Sequence, residues 1–219
     1  MPAFTIWRHP RPQGAEGRCI GGGTDLPVDP RKAKRLAHRI RAHARRHRLP
    51  RQVVTSPLAR AADVGRWLRR WGFRWQVDAA LTELDFGHWD GRPWRDIDAR
   101  EFGRWTADFC GFDFDGGESL NALLVRAAAW QSPCALAVGH GGWINARQWQ
   151  GEPPTPASWP QPPRYGQCLP CEEARVVPAV DVALQTELAA VLGQGDAADV
   201  SGDVAAPEPA AVRRQAGGA

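Results

Sequence analysis

Acid is missing from one stretch of this sequence and base from another. Residues 31–51 carry ten Arg or Lys and no Asp or Glu, whereas residues 187–208 carry five acids and no basic residue. Lysine is scarce throughout, only 2 of the 28 basic residues, so the net charge of +4 is almost wholly arginine. No run approaches the roughly 18 consecutive apolar residues of a membrane span. Residues 1–12 lack the apolar h-region of a secretory signal, so the expectation is a cytoplasmic protein with no membrane partner. Cysteine is sparse too. Five thiols, at 19, 110, 134, 168 and 171, are an odd number without regular spacing, which argues against a disulfide framework and suits a reducing compartment. No internal repeat is visible. A hydrophobic share of 43% and a charged share of 24% over 219 residues describe a globular domain with appendages, not a disordered chain.

Short apolar runs rich in β-formers alternate with helical patterns. Residues 4–7, 52–55, 73–77 and 134–138 read as strands. Between them, 31–48 puts Ala33, Leu36, Ala37, Ile40 and Ala44 on one stripe, and 58–71 and 119–130 repeat apolar residues at helical spacing. Asp29-Pro30 and Ser56-Pro57 are suitable helix starts. Short strands apolar on both faces, alternating with helices, predict a three-layer α/β/α sandwich with a mainly parallel sheet. Composition changes near residue 150: ten of the 19 prolines lie beyond it, seven of them between 153 and 170. The expected organisation is a domain over 1–150, an irregular Pro-rich extension over 151–192 packed on it, with a helix near 181–192, and a disordered tail over 193–219.

In such sheets ligands bind beyond the carboxyl ends of the strands. There the first strand delivers Arg8-His9, the second leads through Ser56-Pro57-Leu58-Ala59 to Arg60, the third leads to Glu83-Leu84-Asp85-Phe86-Gly87, and the fourth ends in Gly139-His140-Gly141-Gly142. Two arginines, two histidines and a carboxylate on one edge, with glycines that let a ligand reach the backbone, suit a dianionic tetrahedral group such as phosphate. A guanidinium presents a planar fork to two phosphate oxygens and keeps its charge, so Arg8 and Arg60 would hold the anion and its transition state.

These segments resemble, in order, the motifs of the histidine phosphatase superfamily: Arg8-His9, the Ser56–Ala61 run, Glu83-Leu84-Asp85-Phe86-Gly87-His88-Trp89-Asp90-Gly91, Gly116-Gly117-Glu118-Ser119 and Gly139-His140-Gly141-Gly142. The resemblance covers residues 3 to about 150 and implies the phosphoglycerate mutase-like fold. The 83–91 segment and the 19–28 stretch, with Thr24-Asp25-Leu26-Pro27, look most like its α-ribazole phosphatase branch, which acts in cobalamin synthesis. The resemblance makes His9 the nucleophile, flanked by Arg8. Arg60 and His140 would complete the phosphate pocket, with Glu83 as proton donor and then base. It implies a metal-independent phosphomonoester hydrolase without cofactor, taking a small phosphorylated metabolite; a phosphatase for another metabolite, or a sugar-phosphate mutase, is the alternative. The pattern is broken at Pro10, where Gly usually follows the histidine, at Gly139, where Thr or Ser often stands, and at Gly21-Gly22-Gly23, one residue longer than usual.

Several side chains admit two readings. Asp85 is a second possible proton donor or a loop contact. Trp89, with Trp94, is a possible wall for an aromatic leaving group beside Thr24, whereas Trp67, Trp71, Trp105 and Trp130 fall in helical patterns and read as core. Gly116–Ser119 reads as a turn entering a helix. His43 and His47 have metal-ligand spacing but lie among Arg41, Arg45, Arg46 and Arg48, which would repel a cation. Cys168-Leu169-Pro170-Cys171 is half of a zinc site or a redox pair without its usual context. The basic 31–51 segment is the rival to an enzyme, a degenerate fold holding nucleic acid. A solvated helix face is favoured over it, because no aromatic is interleaved among those cations to stack on bases.

Overall fold

The structure is a computed structural model that describes residues 4–172. The helix expected near 181–192 and the tail over 193–219 lie outside the described residues. Five strands form one sheet: β1 (Phe4–Arg8), β2 (Gln52–Thr55), β3 (Arg74–Val77), β4 (Leu136–Gly139) and β5 (Cys168–Cys171). Their spatial order is β3-β2-β4-β1-β5; all neighbours are parallel except β5, which runs antiparallel to β1. The helices are α1 (Pro30–Arg46), α2 (Ala59–Arg70), α3 (Ala99–Ala107), α4 (Leu120–Ala129) and α5 (Gly141–Gln148).

Alternation along the strands splits the core in two. Trp7, Val53, Leu136 and Val138 face the stripe Ala33, Leu36, Ala37, Ile40 and Ala44 of α1 and Ala61, Val64 and Leu68 of α2. Phe4, Ile6, Val54 and Ala137 face the other way, toward Leu120, Leu123 and Ala127 of α4 and Trp143, Ile144 and Ala146 of α5. This is the expected three-layer α/β/α arrangement. Asp29 accepts from the Arg31 N–H at 2.7 Å with Pro30 at the first helical position, so α1 starts where the sequence signals it.

Four features depart from the sequence reading. α3 is capped by Asp98, which accepts from the Arg100 and Glu101 N–H groups, and only its Trp105 reads as helical in the sequence; α5 follows β4 directly through His140, where the glycine pair gives no helical signal. The 151–180 stretch, read as irregular throughout, contains β5: its chain pairs with the free edge of β1, satisfying backbone groups that would otherwise be open. Cys168 and Cys171, three apart on that strand, take opposite faces, one exposed and one buried, so the pair does not form a shared thiol site. Burial pushes the Cys171 thiol up to about 11. Finally, α2 brings Trp67 and Trp71 to the cations of α1, with Lys34 5.2 Å from the Trp67 ring and Arg41 5.6 Å from that of Trp71. The aromatics absent from 31–51 are therefore supplied by tertiary contact, although the chain's own cations already stack on them.

Candidate active site

Register builds the centre of the site. Arg8 lies opposite Gly139 in the β1/β4 ladder, so the next residue of each strand, His9 and His140, emerges side by side, with ring centroids 4.9 Å apart. The His9 N–H donates to the Gly139 carbonyl at 3.0 Å. Both rings are buried, His9 4% exposed and His140 0%.

Their partners determine their tautomers. His9 Nδ1 lies 2.7 Å from the Pro10 carbonyl, which can only accept, so Nδ1 carries the proton and Nε2 keeps its lone pair. Proline at this position costs nothing there, because the contact uses its carbonyl and not the N–H it lacks. Arg60 Nε donates to His140 Nδ1 at 3.2 Å, so His140 carries its proton on Nε2. Among the described residues that Nε2 is buried without a partner, as is Arg8 Nε. Buried donors are normally satisfied, and two unpartnered ones beside a free imidazole lone pair suit the oxygens of an anion. Burial above all, and then the charge of Arg60, hold both histidines well below the ordinary imidazole range; the Arg8 guanidinium adds to this at each, and His9 and Arg126 also act on His140. His9 is neutral, as a nucleophile must be.

Arg60 is 1% exposed. It starts on α2, whose first turn is held by Asp25, accepting from the Ala59 N–H at 2.6 Å, and by Ser56 Oγ, accepting from the Leu58 N–H at 3.3 Å. Its Nη1 donates to the Thr24 carbonyl at 2.6 Å and its Nη2 to the Gly21 carbonyl at 2.7 Å. Thr24 thus serves through its backbone. The triple-glycine loop is itself clamped by Asp90, whose two oxygens accept from the Gly21 and Gly23 N–H groups at 2.9 Å each. A Cβ at Gly21 would lie 2.2 Å from the Leu84 carbonyl, so only glycine lets this loop pass.

Glu83 sits at the N-terminus of α5. Its Oε2 accepts from the Gly142 N–H at 2.9 Å; its Oε1 accepts from Trp143 at 2.9 Å and from Leu84 at 3.1 Å. Oε1 is therefore filled, and Oε2 keeps a lone pair for a proton. A Cβ at Gly142 would lie 2.6 Å from Glu83 Oε1, and one at Gly141 would lie 3.1 Å from the Arg8 guanidinium carbon, which explains the glycine pair after His140. Arg126 fixes the approach to Glu83: it donates to the Ala80 and Thr82 carbonyls at 2.8 and 2.9 Å, while Glu118 holds it through both carboxylate oxygens.

Arg8, His9, Arg60 and His140 thus converge, with Glu83 close enough for its charge to act on both arginines. The remaining candidates are placed otherwise. Trp89 is 0% exposed, packed among Phe102, Trp105, Phe112 and Phe114, and lines no substrate wall; its indole is worth more as the hub of an aromatic cluster than at a surface. Asp85 accepts from the Gly87 N–H at 2.9 Å, the loop contact of the two readings. Ser119 caps α4, accepting from Ala122 at 3.2 Å. The sequence reading missed Tyr165, the single tyrosine, which the Pro-rich strap brings within 5.6 Å of the His9 ring. Its singularity was the available signal, but nothing local linked it to strand β1.

The chain belongs to the histidine phosphatase superfamily, branch 1, whose family model matches residues 4–163. Among solved structures it is similar to a phosphoglycerate mutase from Thermus thermophilus, at 27% identity and a TM-score of 0.51, over 75% of this chain and 91% of that one. It is also similar to the mycobacterial glucosyl-3-phosphoglycerate phosphatase, at 25% identity and 0.50, and to mycobacterial hydrolase 1, at 26% and 0.52, each over 65% of this chain and 76% of the other. No curated protein matches it. Phosphatases and mutases are the enzyme types among these neighbours. No helix among the described residues is long and apolar enough to cross a membrane.

Proposed function

We propose that the protein hydrolyses a small phosphate monoester through a phosphohistidine on His9, without metal or cofactor. The observation that carries this is the pairing of a free Nε2 lone pair on His9 with the unpartnered donors Arg8 Nε and His140 Nε2. In the first step Nε2 attacks phosphorus, the bond to the ester oxygen breaks, and Glu83 Oε2 passes to the leaving oxygen a proton taken up as the phosphate ester binds. In the second, water attacks the phosphoenzyme, Glu83 takes its proton, the N–P bond breaks and His9 recovers its lone pair. Arg8, Arg60 and the His140 N–H stabilise charge on the phosphoryl oxygens throughout.

The preferred substrate is α-ribazole 5′-phosphate, supported by the likeness of segments 83–91 and 19–28 to that branch. A phosphoglycerate-derived ester is the second reading, favoured by the similarity to the mycobacterial glucosyl-3-phosphoglycerate phosphatase. The partner is thus a small metabolite; nucleic acid stays disfavoured, because Lys34 and Arg70 already lie on Trp67 and Arg41 on Trp71. The test is phosphate release in EDTA from α-ribazole 5′-phosphate, glucosyl-3-phosphoglycerate and a panel of small monoesters, with wild type and His9→Ala. Release from α-ribazole phosphate above all others, lost in His9→Ala, is expected. Full activity in His9→Ala would overturn the nucleophile, and a preference for another ester would keep the mechanism and replace the substrate.

A further inference from the structure

We infer that the Pro-rich strap is part of the phosphate site, and that Tyr165 is a positioning residue that aims the Arg8 guanidinium. The inference rests on the phosphate-pocket reading above and adds a residue to it that lies beyond the family model's match, which ends at 163.

Arg8 is a cation that burial disfavours, since desolvation is the largest influence on it. Such a group must be held by what surrounds it. No carboxylate among the described residues forms an ion pair with it. Two strap residues supply what is missing. The Pro163 carbonyl accepts from Nη1 at 2.6 Å, and the guanidinium carbon lies over the Tyr165 ring, 3.9 Å from its centroid. The carbonyl fixes one corner of the fork and the ring covers the guanidinium carbon. With Nη1 spent on Pro163, the donor left buried and unpartnered is Nε. Gly141 leaves room for the group, since a Cβ there would lie 3.1 Å from both its carbon and its Nε.

The strap is anchored at both ends for this purpose. Asn145 of α5 donates to the Pro160 carbonyl at 2.8 Å, and the Gly166 N–H donates to the Arg8 carbonyl at 2.9 Å before the chain enters β5. β5 thus does more than close a sheet edge: pairing with β1 returns the chain to the residue that carries the guanidinium. Tyr165 itself remains 41% exposed, so its place is not explained by core packing.

The experiment uses the full chain and inorganic phosphate as probe, with binding measured calorimetrically for wild type, Tyr165→Phe, Tyr165→Leu, Arg8→Ala and the double variant Arg8→Ala/Tyr165→Leu. Tyr165→Leu keeps apolar bulk and removes the π face, so it tests aim without emptying the strap; its thermal midpoint and far-ultraviolet spectrum check folding. The expected result is a loss of about tenfold in phosphate affinity for Tyr165→Leu, near wild-type affinity for Tyr165→Phe, and no further loss when Tyr165→Leu is added to Arg8→Ala. Wild-type affinity in Tyr165→Leu, with affinity still lost in Arg8→Ala, would overturn the role of Tyr165 and leave the pocket standing. Equal losses from Tyr165→Leu in both backgrounds would make its effect independent of Arg8 and overturn the inference in the same way. A wild type that binds no phosphate would overturn the pocket and this inference together.

Discussion

Arginine is used in two opposite ways in two regions of this molecule. On α1, eight Arg and Lys side chains in 17 residues make no ion pair among the described residues and extend from the solvent side of a helix held by a narrow apolar stripe. At the carboxyl edge of the sheet, Arg60 is 1% exposed and donates to two carbonyls and an imidazole. A solvated cation costs almost nothing to keep, whereas a buried one must be matched by acceptors or an anion. Density of charge is therefore a poor guide to function, and burial of charge a good one: the basic block is the densest charge in the sequence, but Arg8 and Arg60 are the cations drawn into the site, and Arg8 keeps a buried Nε without a partner among the described residues.

The largest expected break in this contrast comes from Arg60→Ala. It removes one preorganised cation from the site and strips the partner from Gly21, Thr24 and His140, so turnover should fall by about 10² to 10³, with a loss of stability measurable in urea. A fall of less than tenfold would remove Arg60 from the pocket. Next is Gly142→Ala, whose new Cβ would meet Glu83 Oε1 at 2.6 Å. Displacing the carboxylate should lower kcat by about 10² while the thermal midpoint moves little; unchanged kcat would show that Glu83 transfers no proton in the slow step.

A smaller effect follows from the buried histidines. His9 and His140 have folded-state values well below 6.5, and unfolded imidazoles titrate near that value. As pH falls below it the unfolded chain takes up protons that the folded chain refuses, so stability is full above that pH and is lost on acidification. The slope should reach about 1.4 kcal/mol per pH unit for each histidine. Denaturant melts between pH 7.5 and 5.5 should show this slope, and His140→Asn should reduce it; a flat profile would mean that the rings are not held neutral. The smallest effect belongs to the other region. Arg35→Ala on α1 should change stability by no more than about 0.5 kcal/mol and leave turnover unchanged, and a marked loss of turnover would mean that the surface cations do serve the reaction.

Legibility from sequence followed the range of the forces involved. The α1 stripe Ala33, Leu36, Ala37, Ile40 and Ala44 is buried as its spacing predicts, and strand β2 matches its expected bounds, because hydrophobic periodicity is written locally. The order of residues after each strand was likewise enough to name Arg8, His9, Arg60, Glu83 and His140 as one group, since a parallel sheet gathers the ends of its strands on one edge. What the sequence could not say was how those groups face each other. Trp89 lies two residues from Gly87 in a segment that reads as pocket wall, yet it turns into the aromatic cluster of α3 and its neighbours, a contact decided by chain far away in sequence. The free lone pair on His9, the proton on His140, the filled Oε1 of Glu83 and the Tyr165 ring against Arg8 all depend on partners brought together by strand register and by the return of β5. These are short-range, directional interactions between distant residues, and only the tertiary structure decides them.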